Sequence, residues 1–209
     1  MPLTNPWPTA GSSSYVAETQ AVITEIAGAL DARTPVIPRV GSGRRYSQRS
    51  LYSGGYGNIS LGNNAVFAVP IPITKACTIS GISAKVTTNA GTSAYLGIYA
   101  DDGTEGPGTL LASGTVSTAT TGVKTVTISL VIATPRLVWG AIVPDNSGTA
   151  WYSLNSETEY LGADSTLAPA YILSKSVGSF TIPSTFPSTP DYWDGGGSGK
   201  SPLVYALIS

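Results

Sequence analysis

The side chains best suited to ligand recognition stand together at Asp191, Tyr192 and Trp193. Aromatic faces stack on sugar rings, and a neighbouring carboxylate accepts hydrogen bonds from sugar hydroxyls. The run is therefore a candidate glycan contact. The alternative is burial of the same residues against a neighbouring subunit, and the sequence alone favours that alternative.

Two groups of carboxylates could in principle do other chemistry. Calcium prefers carboxylate oxygens, but the spacing of Asp101, Asp102 and Glu105 does not match the EF-hand loop, so a solvated turn is the preferred interpretation. Glu157 and Glu159 would share one face of a strand. A glycosidase needs two carboxylates at a set separation, which the sequence does not show. We therefore predict neither a metal site nor hydrolytic activity.

The residue inventory removes most other catalytic chemistry. The 209 residues contain no His and a single Cys. Without His there is no Ser-His-Asp triad, no Cys-His dyad and no mixed Cys/His zinc site. The lone Cys77 lies in an apolar stretch and is predicted to be a small buried hydrophobe. We therefore expect a non-enzymatic protein without a cofactor.

The chain carries little charge. Charged residues make up 11% of it, against about a quarter in an average globular protein. Low charge with ordinary apolar content suits a surface covered by copies of the same chain or by other partners. The formal net charge of −1 provides no general attraction to nucleic acid or to an anionic membrane. No apolar run is long enough to span a bilayer, and the first residues do not resemble a signal peptide. We expect no membrane partner and do not favour nucleic acid.

Residues 1–50 are predicted to be an arm, a helix and a basic connector that serve assembly and attachment. In residues 1–13, prolines prevent helix formation, and Trp7 between two of them is predicted to dock on a neighbour. Residues 14–31 form the one convincing helix, with apolar residues at coiled-coil spacing. Such a seam favours a homotrimer, whereas the alternative is an amphipathic helix lying on its own sheet. The predicted seam consists of Val16, Thr19, Ile23, Ile26 and Leu30.

The connector concentrates basic residues in a stretch that contains no acid. We interpret it as a contact with an acidic neighbouring subunit; a solvated linker and, less favoured, a nucleic-acid contact are the alternatives. The aromatic and glycine run at 52–57 is predicted to form turns, since it does not match a phosphate-binding loop. The basic contact residues are Arg33, Arg39, Arg44, Arg45 and Arg49.

Residues 51–209 are predicted to form one β-sandwich domain. Short stretches with alternating apolar residues are bounded by Gly, Pro, Asn or Asp, with no helical pattern between them. This pattern is typical of a mainly β, antiparallel, jelly-roll-like sandwich. Residues 174–200 are predicted to be a loop-rich insertion, in which 180–190 are extended near polyproline II and the glycine-rich run 195–199 is mobile. The strands are predicted at 65–69, 78–87, 94–99, 110–116, 123–130, 137–143, 151–154, 170–173 and 202–208.

Three positions within the sandwich have specific expectations. Gly97, between two apolar residues, is predicted to admit a close approach by another strand or side chain. Trp139 is predicted to fill the core rather than bind a ligand. Trp151 and Tyr152 are adjacent on a strand, so one is expected in the core and the other on the surface.

Several of these segments resemble a motif of bacteriophage appendage proteins. The similarity is carried by Leu-Gly-Ile-Tyr at 96–99, an Asp-Asp-Gly turn at 101–103 and Pro-Gly-Thr-Leu-Leu at 107–111. It continues through a Gly- and Thr-containing strand and a later strand with Trp139, and it extends over residues 60–209. The further similar segments are 65–70, 79–82, 122–128, 138–141, 182–187 and 202–203.

The resemblance implies a structural protein of the phage particle, made in the host cytoplasm and often trimeric, on a tail fibre, baseplate, neck or capsid. The N-terminal helix would attach or trimerise it, and its partners would be sister copies and other virion proteins. Two alternatives stay open: a glycan-binding receptor module of a fibre tip, with a host-surface glycan as partner, and a capsid decoration protein. The sequence lacks a long repetitive shaft, which favours a compact tip, a short appendage or a decoration protein.

Overall fold

The computed structural model describes residues 44–46, 55–103, 106–155, 172–193 and 200–209. Strands, turns and loops make up these ranges, and no helix occurs within them. The predicted arm at 1–13 and helix at 14–31, with Trp7 and the whole trimer seam, lie outside the described residues. Arg33, Arg39 and Arg49 also lie outside them.

The described residues form thirteen strands. Nine of them begin at residue 65 or later and are at least five residues long, and each overlaps a stretch predicted from the alternating apolar pattern. The bounds are Arg44–Tyr46 (β1), Tyr56–Ser60 (β2), Ala65–Ile73 (β3), Cys77–Thr88 (β4), Ser93–Asp101 (β5), Pro107–Ser117 (β6), Gly122–Ile132 (β7), Arg136–Pro144 (β8), Ala150–Asn155 (β9), Ile172–Ser176 (β10), Asp191–Trp193 (β11), Lys200–Pro202 (β12) and Val204–Ile208 (β13).

These strands build two antiparallel sheets, which confirms the predicted mainly β sandwich. The front sheet has the order β1-β13-β4-β9-β12, with β2 added to β9 and β7 added to β4. The back sheet has the order β11-β10-β3-β8-β5-β6. The long strands β6 and β7 are consecutive in the chain but lie at the edges of different sheets, so they share one side of the sandwich.

The main core lies between the two sheets, because alternate residues of each strand face inward. Ile79 and Ile82 of β4, Leu96 and Ile98 of β5 and Trp151 of β9 are all fully buried in it. Tyr152, the neighbour of Trp151, is only partly buried. The expectation that one of this pair is in the core and the other at the surface is confirmed.

A second core lies on the outer face of the back sheet. Residues 177–190, here called the cover segment, pack Phe180, Ile182 and Phe186 against that face. Trp139 is 1% exposed and belongs to this second core. Its predicted core role is confirmed, although it fills the space beneath the cover segment rather than the space between the sheets.

Two short strands, β1 and β2, fall where the sequence indicated a connector or turns. Arg44 and Arg45 lie on β1, which pairs with β13, and their side chains are not described. The prediction of turns at 52–57 is wrong at its end, because Tyr56 and Gly57 begin β2, which pairs with β9 and buries Ile59. These strands are too short to show an alternating pattern, and pairing with a longer neighbour defines them.

The loop-rich insertion predicted at 174–200 also needs correction. Its ends are strands: β10 pairs with β3, β11 pairs with β10, and β12 pairs with β9. Its middle is the cover segment, which is irregular but docked. The apolar side chains of this Pro-rich stretch provide the reason, since burying them on the sheet is favourable.

Candidate ligand-binding groove

A groove of about 440 Å³ opens where the cover segment meets the turn between β5 and β6. One wall consists of Asp102 and Gly106 of the turn, and the end of the cover segment forms another wall. Leu173 of β10 also lines the groove. The remaining lining residues are Pro107, Gly108, Thr185, Phe186, Pro187, Ser188, Thr189 and Pro190.

Backbone hydrogen bonds fix the cover-segment wall. Leu110 N donates to Ser184 O and Phe186 N donates to Gly108 O, both at 2.8 Å. Together with the bridge between Thr109 and Thr185, they form a short extra strand-like pairing on the free edge of β6. The wall is therefore held as firmly as a sheet edge, and the groove exists before any ligand arrives.

Tyr99 also holds the cover-segment wall in place. Its hydroxyl donates to Pro183 O at 2.8 Å, and its ring meets Phe186 edge-on with centroids 5.4 Å apart. Burial raises the pKa of Tyr99 well above its usual value, so the hydroxyl stays protonated and keeps donating. A Tyr at this position supplies both apolar area and one directed hydrogen bond.

The two aspartates of the turn are structural. Asp101 Oδ1 accepts a hydrogen bond from Trp139 Nε1 at 2.9 Å, and Asp101 Oδ2 accepts one from Gly103 N. Asp102 Oδ1 accepts from Gly106 N at 3.1 Å. Hydrogen bonds in which an Asp carboxylate accepts from a nearby backbone N–H, as Asp101 does from Gly103 and Asp102 from Gly106, are typical of turns. This supports the preferred interpretation of the stretch as a turn.

The described residues contain no cluster of three potential metal-ligating side chains. Glu105, the third member of the calcium candidate, lies outside those residues. Glu157 and Glu159 lie outside them as well, so the structure does not describe that carboxylate pair.

The predicted glycan contact borders the groove at its far end. Asp191, Tyr192 and Trp193 form β11, directly after the lining residue Pro190, and Tyr192 pairs with the lining residue Leu173. Asp191 is exposed and forms an ion pair with Lys175 at 3.6 Å. The side chains of Tyr192 and Trp193 are not described, so their role as a glycan contact stays a prediction.

Sequence reasoning did not find Asp102, Ser188, Thr189 and Lys175 as neighbours of this site. The sequence signal that could have indicated the site was the Pro-rich run from Phe186 to Pro190. We interpreted that run as an extended part of the loop-rich insertion. Thr189 has a positive φ of 55°, which turns the chain toward the groove and into β11. Asp102, Ser188 and Thr189 all line the groove, and their carboxylate and hydroxyl groups could exchange hydrogen bonds with a polyhydroxylated ligand.

Cys77 lies far along the chain from the groove and is partly buried at the start of β4, packed against the main core. Burial raises the pKa of its thiol. A thiol with a raised pKa is a poor nucleophile. Cys77 was predicted to be a small buried hydrophobe, whereas in the structure it is only partly buried.

Comparisons with known proteins add no family assignment. No protein-family model matches the chain, and no curated protein matches it. Among the residues that the structure describes, there is no helix of the length and apolarity needed to cross a membrane.

Proposed function

We propose that this chain is a non-enzymatic structural protein of a bacteriophage particle. In this proposal it assembles as a homotrimer, attaches through its N-terminal segment and displays a rigid β-sandwich. Its partners are sister copies and other virion proteins. The observation that carries the proposal is the location of the appendage-like motif on the β5–β6 hairpin.

Each part of that motif has an architectural task. Gly97 leaves room for Ile182 of the cover segment, Asp101 holds the indole of Trp139, and Gly108 accepts the backbone bond from Phe186. The motif therefore supplies the contacts that hold the cover segment against the second core. A module with cores on both sides of one sheet is stiff, as a displayed or load-bearing part must be.

The side of the sandwich formed by β6 and β7 supports assembly with sister copies. The two strands together contain a single charged residue, Lys124 of β7. Its Nζ donates a hydrogen bond to Thr120 Oγ1 at 2.7 Å. Val123 and Val131 of β7 are 53% and 69% exposed. Natural edge strands are usually protected by charge or Pro, so an edge of this length whose exposed residues are all uncharged is suited to being covered. The exposed positions are Thr109, Ser113, Thr115, Ser117, Val123, Thr125, Thr127, Ser129 and Val131.

The test is the solution mass of the full chain by light scattering. We expect a trimer at micromolar concentration. Introducing Thr127→Lys together with Val131→Lys should shift the population toward smaller species, because like charges would meet at the shared surface. Ser60→Lys on β2 is the matched control and should leave the mass unchanged. A folded monomer of the unmodified chain would overturn the assembly part of the proposal.

Glycan recognition is the second candidate function, and the groove beside β11 is the observation that favours it. Its volume accommodates a sugar ring, and it offers Asp102, Ser188 and Thr189 as polar contacts. A glycan array probed with the chain and with Trp193→Ala tests this candidate. Binding that is the same for both proteins would remove β11 from the contact.

The number of copies per particle separates a tail or neck appendage from a capsid decoration protein, which is present in far more copies.

A further inference from the structure

Two polar side chains on β9 are completely buried and have no hydrogen-bond partner in the described part of the protein. Trp151 and Ser153 are each 0% exposed. Neither the indole Nε1 of Trp151 nor Oγ of Ser153 is bonded to a protein group. Buried polar groups in native proteins are nearly always paired, because an unpaired group loses its hydration without replacement. Two such groups on one strand therefore indicate a partner that the polypeptide does not supply.

The two side chains face the same way. They are two residues apart on a strand whose register with β2 is unbroken, so Ser153 faces the main core as Trp151 does. The neighbours of Trp151 on this face are Ile59 of β2 and Val86 of β4. Both are aliphatic and cannot accept a hydrogen bond from the indole N–H.

The neighbours of Ser153 are a glycine and a proline. Gly57 of β2 has no side chain, so it leaves the inner face beside the hydroxyl unfilled. Pro202 of β12 has neither an N–H nor a polar side-chain group. These neighbours explain why the hydroxyl has no protein partner, and Gly57 leaves room for a small molecule next to it.

The front sheet divides at the same place. β4 and β9 pair at Trp151, but one pair further on the segment 200–208 lies between them. This segment runs along β9 as far as the partner of Ser153, turns at Leu203 and returns along β4. The regular ladder between β4 and β9 is therefore interrupted beside the two unpaired groups, which makes this the point where a small molecule can be enclosed.

The chemistry of the two groups selects the molecule. The indole N–H of Trp151 only donates, so its partner must accept, which excludes a metal cation. The hydroxyl of Ser153 both donates and accepts. Water does both and is small enough to fit between packed side chains. An anion could accept from both groups, but burying an ion costs far more free energy than burying a water molecule.

We propose that one water molecule is bound between the sheets where β4 and β9 separate. It accepts a hydrogen bond from Trp151 Nε1 and forms a second one with Ser153 Oγ. The water thereby completes the main core at the point where residues 200–208 enter the front sheet. The site does not depend on assembly or on the groove, so its failure would leave the proposed function unaffected.

The direct test is a crystal structure of the full chain at a resolution that shows ordered water. We expect a density peak at hydrogen-bonding distance, about 2.7–3.2 Å, from both Trp151 Nε1 and Ser153 Oγ. Crystals grown with bromide in place of chloride should show no anomalous signal at this peak. The internal control is Trp139, whose Nε1 is also buried but donates to Asp101 Oδ1 and should have no water beside it.

A solution measurement gives opposite signs for a bridged and an unpaired hydroxyl. If water bridges the two groups, Ser153→Ala leaves the indole unpaired and should lower the midpoint of urea denaturation. If the hydroxyl is unpaired, removing it should raise the midpoint. Ser83→Ala is the matched control, because Ser83 is equally buried and its hydroxyl is paired with that of Thr125 at 2.9 Å. Its midpoint should fall.

Three results would overturn the proposal. The first is a crystal structure without density between the two groups, or with a protein group bonded to either of them. The second is a bromide signal at the site, which would assign it to an anion. The third is a higher urea midpoint of Ser153→Ala than of the unmodified chain.

Discussion

At the residue scale, the absence of a side chain at Gly97 allows the cover segment to pack closely on β5. A Cβ at this position would collide with Cδ1 of Ile182 and would lie 3.2 Å from Cδ1 of Leu110. The close approach that the sequence suggested is confirmed, and the approaching group is a side chain of the cover segment. The contact joins residues that are far apart in sequence, so no local pattern could name Ile182.

We predict that Gly97→Ala lowers the free energy of unfolding by about 1–3 kcal/mol, the usual cost of overpacking. The measurement is urea denaturation followed by Trp fluorescence. Gly62→Ala is the matched control, since its Cβ would meet only Phe67 at an ordinary 3.8 Å. Equal stability of the two variants would contradict the close packing of Ile182.

Asp145 is the titratable side chain with the most hydrogen bonds at a described turn. Its Oδ2 accepts from Thr92 N at 2.9 Å, from Thr92 Oγ1 at 2.6 Å and from Ser93 N at 2.8 Å. Partial burial raises the pKa of this carboxyl, but the hydrogen bonds from Thr92 and Ser93 outweigh burial, and the net pKa is lowered.

A lowered pKa in the folded state has a definite consequence for stability. The unfolded chain binds the proton more readily, so the contribution of Asp145 is complete above the ordinary pKa of Asp and is lost as pH falls through the lowered value. We predict that Asp145→Asn is about 1 kcal/mol less stable than the unmodified protein at neutral pH. The difference should shrink in acid, below about pH 4. Chemical denaturation across this range measures it, and a difference independent of pH would refute the assignment.

At the scale of elements, the cover segment turns an exposed sheet face into a second core. Three kinds of contact hold it: backbone hydrogen bonds to β6, the hydrogen bond from the Tyr99 hydroxyl, and tilted or edge-on contacts between aromatic rings. Phe180 meets Tyr95 with centroids 4.8 Å apart, and Phe186 meets Tyr99. Because these contacts are spread along the segment, it should dock and undock as a unit.

We predict that Phe186→Ala destabilises the protein by about 3 kcal/mol, because the side chain is 5% exposed and its removal leaves a cavity. Proteolysis should then begin within residues 177–190, while the main core stays intact. Phe186→Leu is the control and should retain most of the protection. Cleavage spread evenly over the chain would show that the two cores unfold together.

At the scale of the whole molecule, assembly and recognition would use different surfaces. The β6–β7 side, whose exposed residues are uncharged, is suited to sister copies, whereas the groove lies at the start of β6 beside the cover segment. The predicted seam of Val16, Thr19, Ile23, Ile26 and Leu30 lies outside the described residues, so its role in assembly stays a prediction.

We predict that a chain beginning after residue 31 is soluble and folded but no longer trimeric at micromolar concentration, since the predicted seam is removed. Light scattering and circular dichroism of the shortened and full chains make the comparison. A trimer that survives the truncation would assign assembly to the β6–β7 side of the sandwich instead.

The alternation of apolar residues was sufficient to predict most strands and the sandwich, since a period of two places one face of each strand inward wherever the strand lies. It also placed Trp139 in a core and separated Trp151 from Tyr152. The short strands β1, β2 and β11 were missed because each depends on a paired neighbour rather than on its own pattern.

The sequence by itself determined the class of fold and the scarcity of catalytic groups, because both follow from local periodicity and from which residue types are present. Only the tertiary structure decided that residues 177–190 cover a second core, that Asp102, Ser188 and Thr189 line one groove, and that the Tyr99 hydroxyl bonds to Pro183 O. Those arrangements join residues distant along the chain, and their positions follow from sheet pairing and burial summed over the whole domain.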